Sequence, residues 1–171
     1  MKRGAHYDIA IIGAGASGLL AAISASQLVP GLRIAVVEKN AEPAKKLYAT
    51  GNGRCNYMNR YVKPEDFRSA ESGGVPACAV KLFSGSSADR MIRFFRELGI
   101  EPREEEGGRL YPRSNQAADV VRALLAAVRN AGIEIIWVGT TVLKRHTANI
   151  TPLPGNLKRA KPYPAIEQLI S

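Results

Sequence analysis

Two short apolar runs near the start of the chain flank a longer apolar segment. Tyr7–Ile12 and Arg33–Glu38 are rich in β-branched residues, which predicts two buried strands. Ala16–Leu28 between them predicts a helix, because Pro30 and Gly31 form a stop signal directly after it. A strand, a helix and a strand within about 32 residues have the size of a βαβ unit, whose strands are parallel. The pattern therefore predicts the start of an α/β fold with a parallel sheet.

The rest of the chain alternates between loop-rich and periodic segments. Residues 39–76 carry few periodic signals and many Asn, Gly and Pro residues, so we expect loops with short helical turns there. Beyond them the pattern predicts three helices, a hairpin and a third buried strand: helices Ala77–Phe83, Ala88–Leu98 and Asn115–Asn130, hairpin strands Glu101–Glu106 and Arg109–Tyr111, and strand Ile133–Val138. We assign residues 1–144 to one Rossmann-like domain and the basic, proline-containing residues 145–171 to an irregular tail.

Apolar positions at helical spacing define the expected buried faces of the two longer helices. Ser86 or Ser87 is expected to cap the first of these helices, and Ser114 the second. Trp137 in the third strand is expected to pack in the core. The buried faces comprise Met91, Ile92, Phe94, Phe95 and Leu98 in the first helix, and Ala117, Val120, Val121, Leu124, Leu125 and Val128 in the second.

The 171 residues are enough for one domain with a real core, and they carry a net charge of +9. Of this excess, +5 falls in residues 1–139 and +4 in residues 140–171, so nearly half lies in the last fifth of the chain. A basic balance permits a phosphate-rich partner, either a cofactor or a nucleic acid, but it also fits an ordinary solvated surface. The repeat of Arg90, Arg93 and Arg96 along one helix leaves the same two interpretations open.

Cysteine usage and hydropathy exclude several classes of protein. Cys55 and Cys78 are too few for a disulfide-rich scaffold or an all-cysteine zinc site, and they suit a reducing compartment. Ile9–Leu32 has no charged residue and superficially resembles a signal peptide or membrane anchor, but glycines, serines and a proline interrupt it. We therefore expect a cytoplasmic protein without a membrane partner. We also expect no metal site, because His6 and His146 are isolated.

The first motif that carries chemistry lies between the first predicted strand and helix. It consists of Gly13, Ala14, Gly15, Ala16, Ser17 and Gly18. Gly13 permits a tight turn, Gly15 lets the backbone approach a pyrophosphate, and Gly18 lets the helix pack closely on the strand. Glu38, 20 residues after Gly18, can accept hydrogen bonds from an adenosine ribose and would repel a 2′-phosphate, which favours FAD or NAD over NADP. A tight turn without a ligand is the alternative.

The second motif is the glycine-rich segment Lys45–Asn56, which reads KKLYATGNGRCN. Two glycines bracket Asn52, and Arg54 and Asn56 follow. Such a loop can wrap backbone N–H groups and one guanidinium around phosphates or around the polar edge of a ring. A plain surface turn is the alternative.

These segments together resemble the BaiN/YhiN-like family of NAD(P)/FAD-dependent oxidoreductases, which includes aminoacetone-oxidase-type flavoproteins. The resemblance covers about residues 5–142. It rests on the GAGASG segment with Glu38-Lys39-Asn40, on Lys45-Lys46-Leu47, on Thr50–Asn56 (TGNGRCN) and on Gly108–Ala117 (GRLYPRSNQA). It implies FAD bound by a Rossmann-like fold of the two-dinucleotide-binding flavoprotein type, with NAD(P)H as a possible reductant.

The same resemblance implies a set of cofactor-binding residues. The residues from Gly13 to Gly18 would hold the FAD pyrophosphate, and Glu38 would bind the adenosine ribose, with Lys39 beside it. Lys46 and a following loop would run along the FAD toward the flavin, and Val142 is the expected backbone contact to adenine. The loop comprises Gly51, Asn52, Gly53, Arg54, Cys55 and Asn56.

No catalytic residue can be nominated from the sequence. Cys55 has no CxxC partner, so we interpret it as lining the cofactor loop rather than as a redox thiol. Full members of the family are much longer and add a substrate domain after the third strand, whereas Lys144–Ser171 is proline-rich and basic. We therefore expect a truncated or frame-shifted chain, or a fragment, that binds FAD weakly and turns over negligibly.

Two other functions remain open at this point. One is an NAD-binding dehydrogenase domain, and the other is a basic RNA-binding module of a flavin-dependent RNA uracil reductase. The substrate, whether a small molecule or an RNA, stays unresolved.

Overall fold

Six strands and four α-helices follow one another along residues 6–69, 73–83 and 87–138, which the computed structural model describes. In chain order they are β1 (Ile9–Ile12), α1 (Ala16–Leu28), β2 (Ile34–Glu38), β3 (Met58–Asn59), α2 (Ala77–Phe83), α3 (Ser87–Glu97), β4 (Pro102–Glu105), β5 (Arg109–Pro112), α4 (Ala117–Asn130) and β6 (Glu134–Trp137). Short 3₁₀ turns occupy Lys45–Ala49, Pro64–Asp66 and Glu106–Gly108. The predicted α/β class is confirmed.

These elements divide into two units. The described part of the first unit comprises residues 6–47 and 124–138, and that of the second comprises residues 48–123 apart from the gaps. The chain passes between them at the 3₁₀ turn Lys45–Ala49 and again within α4.

The first unit contains a parallel sheet with the strand order β1-β2-β6. Ile11 of β1 is in register with Val36 of β2, which is in register with Ile135 of β6. Helix α1 packs on β1 and β2 and buries Leu19 and Ile23. This confirms the predicted βαβ unit and the third parallel strand.

The second unit contains an antiparallel sheet with the strand order β3-β5-β4. Strands β4 and β5 form the predicted hairpin. Helix α3 packs against β3 and β4, and its Phe95 ring lies 4.3 Å from the ring of Tyr57. Strand β3 is absent from the prediction because two residues are too short to show a periodic pattern.

Two helix starts differ from the expected positions. Helix α4 begins at Ala117 rather than at residue 115, because Asn115 has a left-handed backbone with φ of 57°. The Ser114 hydroxyl accepts a hydrogen bond from the Gln116 N–H at 3.3 Å, so it closes a turn before the helix instead of capping it. Helix α3 begins at Ser87, and Ser86 lies outside the described residues.

The expectation that Trp137 packs in the core is wrong. The residue is 55% exposed. Among the described residues, β6 pairs only with β2 and so lies at an edge of the sheet. An apolar run shows that a segment is a strand but does not show where that strand lies in the sheet order.

Several predictions fall outside the described residues. They concern Val142, His146 and the tail 145–171. Within residues 6–69, 73–83 and 87–138, no helix is both long enough and apolar enough to cross a membrane.

Candidate dinucleotide-binding site

The glycine-rich loop of the first unit connects β1 to α1 in three residues. Gly13 has a φ of 99°, and its N–H donates to the Val37 carbonyl at 2.7 Å. Gly15 is the N-cap residue of α1 and has no side chain with which to cap the helix. The first N–H groups of a helix have no partner within it and carry partial positive charge. The loop therefore presents a helix N-terminus that attracts anions.

Gly18 is required by close packing of α1 on the end of β1. A Cβ at this position would lie 1.9 Å from the Gly13 carbonyl oxygen. Real Cβ contacts are essentially never shorter than 3.0 Å, so no side chain fits without a backbone shift. The predicted role of Gly18 in close helix packing therefore corresponds to a specific contact, that of α1 with the Gly13 carbonyl group.

Glu38 ends β2, and only 6% of its surface is exposed. One carboxylate oxygen accepts the Ala14 N–H at 2.7 Å. The other accepts both the N–H and the side-chain amide of Asn40, each at 2.7 Å. Burial by itself raises the pKa of Glu38, but hydrogen bonds from the backbone N–H groups of Asn40, Ala14 and Lys39 outweigh it and lower the pKa below its ordinary value. The carboxylate is therefore ionised at neutral pH.

The peptide group of Ala14 is held from both sides. Its N–H binds Glu38, and its carbonyl accepts the Ala44 N–H at 2.7 Å. Ala44 is buried and has a left-handed backbone with φ of 58°. The end of β2 and the segment after it therefore fix the position of the glycine-rich loop. Nothing in the sequence marks Ala44 for this role, because alanine carries no signal for a left-handed backbone.

The first unit thus brings together the residues from Gly13 to Gly18 with Glu38. Lys39 follows Glu38 directly and is exposed, as is Lys46 in its 3₁₀ turn. Trp137 is in register with Glu38 on the neighbouring strand.

A cavity of about 290 Å³ lies beside Trp137. Its lining residues are Pro43, Leu125, Val128, Arg129, Ile133, Ile135 and Trp137. This volume is at the lower end of the range for small-molecule sites, so it is too small to enclose a whole dinucleotide.

The second predicted loop, residues 51–56, lies in the second unit and has an unusual backbone. Gly51, Asn52, Gly53 and Cys55 all have positive φ, at 55°, 55°, 80° and 60°. A Cβ on Gly51 would lie 2.8 Å from the backbone nitrogen of Asn56 and 3.0 Å from the Tyr111 ring, so glycine is required there. The loop closes on itself through a hydrogen bond from the Cys55 N–H to the Thr50 carbonyl at 2.9 Å.

Arg54 connects this loop to the hairpin of the same unit. Its Nη1 donates to both carboxylate oxygens of Glu105, at 2.9 and 3.0 Å. Its guanidinium carbon lies 4.2 Å from the centre of the Tyr111 ring, a cation–π arrangement. The Gly53 carbonyl accepts the Ala117 N–H at 2.8 Å. The TGNGRCN and GRLYPRSNQA motifs, separated by about 50 residues, are therefore in direct contact.

Cys55 is a buried thiol with 2% of its surface exposed. Burial raises its pKa above the ordinary value, and a hydrogen bond from the Thr50 side chain opposes this only in part. The thiol is therefore protonated at neutral pH and is a poor nucleophile. Among the described residues, no group of three or more His, Cys, Asp or Glu side chains could hold a metal ion.

Sequence reasoning missed Glu105 as well as Ala44. Glu105 lies within a run of three glutamates, and no feature of the sequence separates it from Glu104 or Glu106. Tyr111 belongs to a recognised motif, but its contacts with Gly51 and Arg54 appear only in the structure.

The parallel βαβ unit, the glycine-rich loop at the α1 N-terminus and the ionised Glu38 at the end of β2 define a Rossmann-type nucleotide-binding domain. The sequence profile of the HI0933-like protein Rossmann domain matches residues 7–150, which extends beyond the boundary predicted at residue 144. The chain belongs to this family, and the predicted resemblance is confirmed.

Two curated proteins show what the chain is similar to. The 3-dehydro-bile acid delta(4,6)-reductase of Clostridium scindens is 35% identical over 127 residues, which are 74% of this chain and 30% of that protein. The ribosomal RNA dihydrouridine synthase of Escherichia coli is 38% identical over 64 residues, which are 37% of this chain and 16% of that protein. The chain thus spans less than a third of the length of either relative.

Among solved structures, the chain is similar to THI4 of Thermovibrio ammonificans. The sequence identity is 19% and the TM-score 0.47, with 77% of this chain and 37% of that chain covered.

Proposed function

We propose that this chain is the FAD-binding N-terminal portion of a flavin-dependent oxidoreductase. One observation carries the proposal: the N-terminus of α1 lies beside the ionised carboxylate of Glu38. The hydrogen bond from the Ala14 N–H to Glu38 holds the two together. An N-terminus that attracts anions suits a pyrophosphate, and a carboxylate at the end of the second strand suits a ribose.

The local geometry fits such a ligand. A Cβ added to Gly15 would meet no atom within 4 Å, so the space in front of the loop is open. Because Gly15 has no side chain, the backbone itself forms the surface that a pyrophosphate would contact. In this proposal Gly13, Ala16 and Ser17 flank this surface, whereas Ala14 and Gly18 are buried and hold the loop in shape behind it.

The remaining assignments extend the site beyond this loop. In this proposal Lys39 lies beside the ribose, Lys46 follows the phosphates, and Val142 contacts the adenine through its backbone. The loop of Gly51, Asn52, Gly53, Arg54, Cys55 and Asn56 lies toward the flavin. Four of its residues have positive φ, and turn-like backbone of this kind can form nests of N–H groups that bind anions or polar ring edges.

When bound, FAD would supply hydride chemistry, while the protein orients it and excludes water. The names of the two relatives describe the same change, because a Δ4,6-reductase and a dihydrouridine synthase each saturate a carbon–carbon double bond. The proposed reaction of the whole protein is therefore reduction of a carbon–carbon double bond in a small molecule or an RNA, with NAD(P)H as the reductant.

The single tryptophan provides a direct test of cofactor choice. Trp137 is exposed and in register with Glu38, so a flavin nucleotide bound at Glu38 should quench its fluorescence. We expect FAD to quench more strongly, and at lower concentration, than NAD. Tighter binding of NAD would favour a dehydrogenase domain. Salt-sensitive binding of RNA without any binding of FAD would favour the RNA-binding module.

A further inference from the structure

Arg54 has all of its described contacts within the second unit. Glu105 binds Nη1 through both oxygens, the Tyr111 ring lies under the guanidinium, and Nε donates to the Gly51 carbonyl at 3.3 Å. The side chains of Arg54 and Glu105 are 33% and 22% exposed. A phosphate that recruited this guanidinium would have to compete with Glu105. The charge of Arg54 is therefore used to hold the loop in place.

The loop needs such support because its backbone is unfavourable. Asn52 and Cys55 have a Cβ and yet adopt left-handed φ values of 55° and 60°. In residues other than glycine this conformation costs free energy, and it persists only where the surrounding structure enforces it. Arg54 lies between these two residues, so its anchorage acts at the centre of the unfavourable segment.

The anchorage depends on one glutamate of the hairpin. Glu105 also lies 3.8 Å from Arg103 Nε, but its two short contacts are with Arg54. The adjacent Glu104 binds Arg60 instead. Two neighbouring glutamates of one strand therefore have separate arginine partners.

We propose that Glu105 is a positioning residue, which holds loop 51–56 in its cofactor-binding conformation through Arg54. This inference rests on the proposed function, because it assumes that the loop contacts the cofactor. Glu105 itself need not touch the cofactor, and Tyr111 supports the same guanidinium from below.

The two free thiols of the chain allow the loop to be observed without any cofactor. Cys78 is exposed, and Cys55 is buried within the loop. A thiol reagent should therefore react in a fast phase with Cys78 and in a slow phase with Cys55. The fast phase serves as an internal standard for the slow one.

The experiment compares Glu105→Ala with the matched control Glu104→Ala in the full chain. We expect the slow phase to accelerate about tenfold in Glu105→Ala, because this variant loses both short contacts of a partly exposed, charge-assisted pair. It should change less than about twofold in Glu104→Ala, which loses an exposed ion pair. Glu105→Gln, which keeps the shape but not the charge, should fall between them. Far-ultraviolet circular dichroism shows whether each variant is folded.

FAD titrations of the same proteins complete the test. We expect Glu105→Ala to bind FAD about tenfold more weakly than the unaltered chain and Glu104→Ala to bind it normally. A folded Glu105→Ala with an unchanged slow phase, or with unchanged FAD affinity, would overturn the positioning role while leaving the proposed function intact. Absence of FAD binding in the unaltered chain would instead overturn the proposed function itself.

Discussion

Replacement of Gly18 by alanine tests the packing that forms the glycine-rich loop. The added Cβ would lie 1.9 Å from the Gly13 carbonyl oxygen, whereas 3.0 Å is the lower limit for real contacts. Helix and loop must therefore separate by about 1.1 Å. Neither side yields easily, because the Gly13 N–H is bound to Val37 and α1 is packed on the sheet through Leu19 and Ile23.

The expected cost follows from this displacement. Overpacking a well-packed interior costs about 1–3 kcal/mol, and a clash between two backbones belongs at or above the upper end. We expect the free energy of unfolding to fall by about 3 kcal/mol, which corresponds to a melting temperature lower by roughly 6–12 °C in a chain of this size. Urea unfolding followed by circular dichroism measures the first quantity, and a thermal scan measures the second.

A matched control is available in Gly74. A Cβ at Gly74 would meet nothing within 4 Å, and its φ is not positive. Gly74→Ala should therefore leave the free energy of unfolding within about 0.5 kcal/mol of the unaltered protein. If Gly18→Ala were equally stable, the close approach of α1 to the end of β1 would be refuted.

Three further predictions follow from particular residues. Ala44→Val should destabilise the protein by about 1–2 kcal/mol, because a β-branched residue is poorly accommodated at φ of 58°. The control Ala41→Val, at an exposed position, should not destabilise it. Equal urea midpoints for the two variants would contradict this prediction. The folded-state pKa of Glu38 is lowered, so its contribution to stability is present above the ordinary value of 4.5 and is lost as the pH falls through the folded-state pKa. The difference in free energy of unfolding between the unaltered protein and Glu38→Gln should therefore shrink on acidification. Asp8 and Asp119, whose pKa values are also lowered, contribute equally in both proteins and cancel in this difference. A difference independent of pH would be inconsistent with an ionised Glu38. Iodide should quench Trp137 clearly, but less than it quenches free tryptophan, because the residue is 55% exposed. An indole fully shielded from iodide would place Trp137 in the core after all.

The sequence predicts the first unit well because its signals are local. The apolar runs of β1 and β2, the spacing of the glycines and the position of Glu38 all lie within about 30 residues. Helix α1 begins and ends at the predicted residues. The sequence predicts the role of Gly18, because only a residue without a side chain allows α1 to approach the end of β1 so closely.

Features that depend on contacts between distant residues escape sequence reasoning. The exposure of Trp137 depends on the sheet order, and the roles of Ala44 and Glu105 depend on segments 30 or more residues away. The late start of α4 depends on a left-handed Asn115, which periodicity does not report. The cofactor-binding roles of all the site residues stay predictions: residues 13–18, Glu38, Lys39, Lys46, the loop 51–56 and Val142.

The most direct test of the proposed FAD site is Gly15→Ala. A Cβ at Gly15 meets no protein atom within 4 Å and its backbone is not left-handed, so the variant should unfold like the unaltered protein within about 0.5 kcal/mol. The methyl group would nevertheless occupy the surface proposed for the pyrophosphate. We predict that FAD quenches the Trp137 fluorescence of the unaltered chain. Gly15→Ala should need at least about tenfold more FAD for the same quenching. Equal FAD affinity in both proteins, or none in the unaltered chain, would contradict the account.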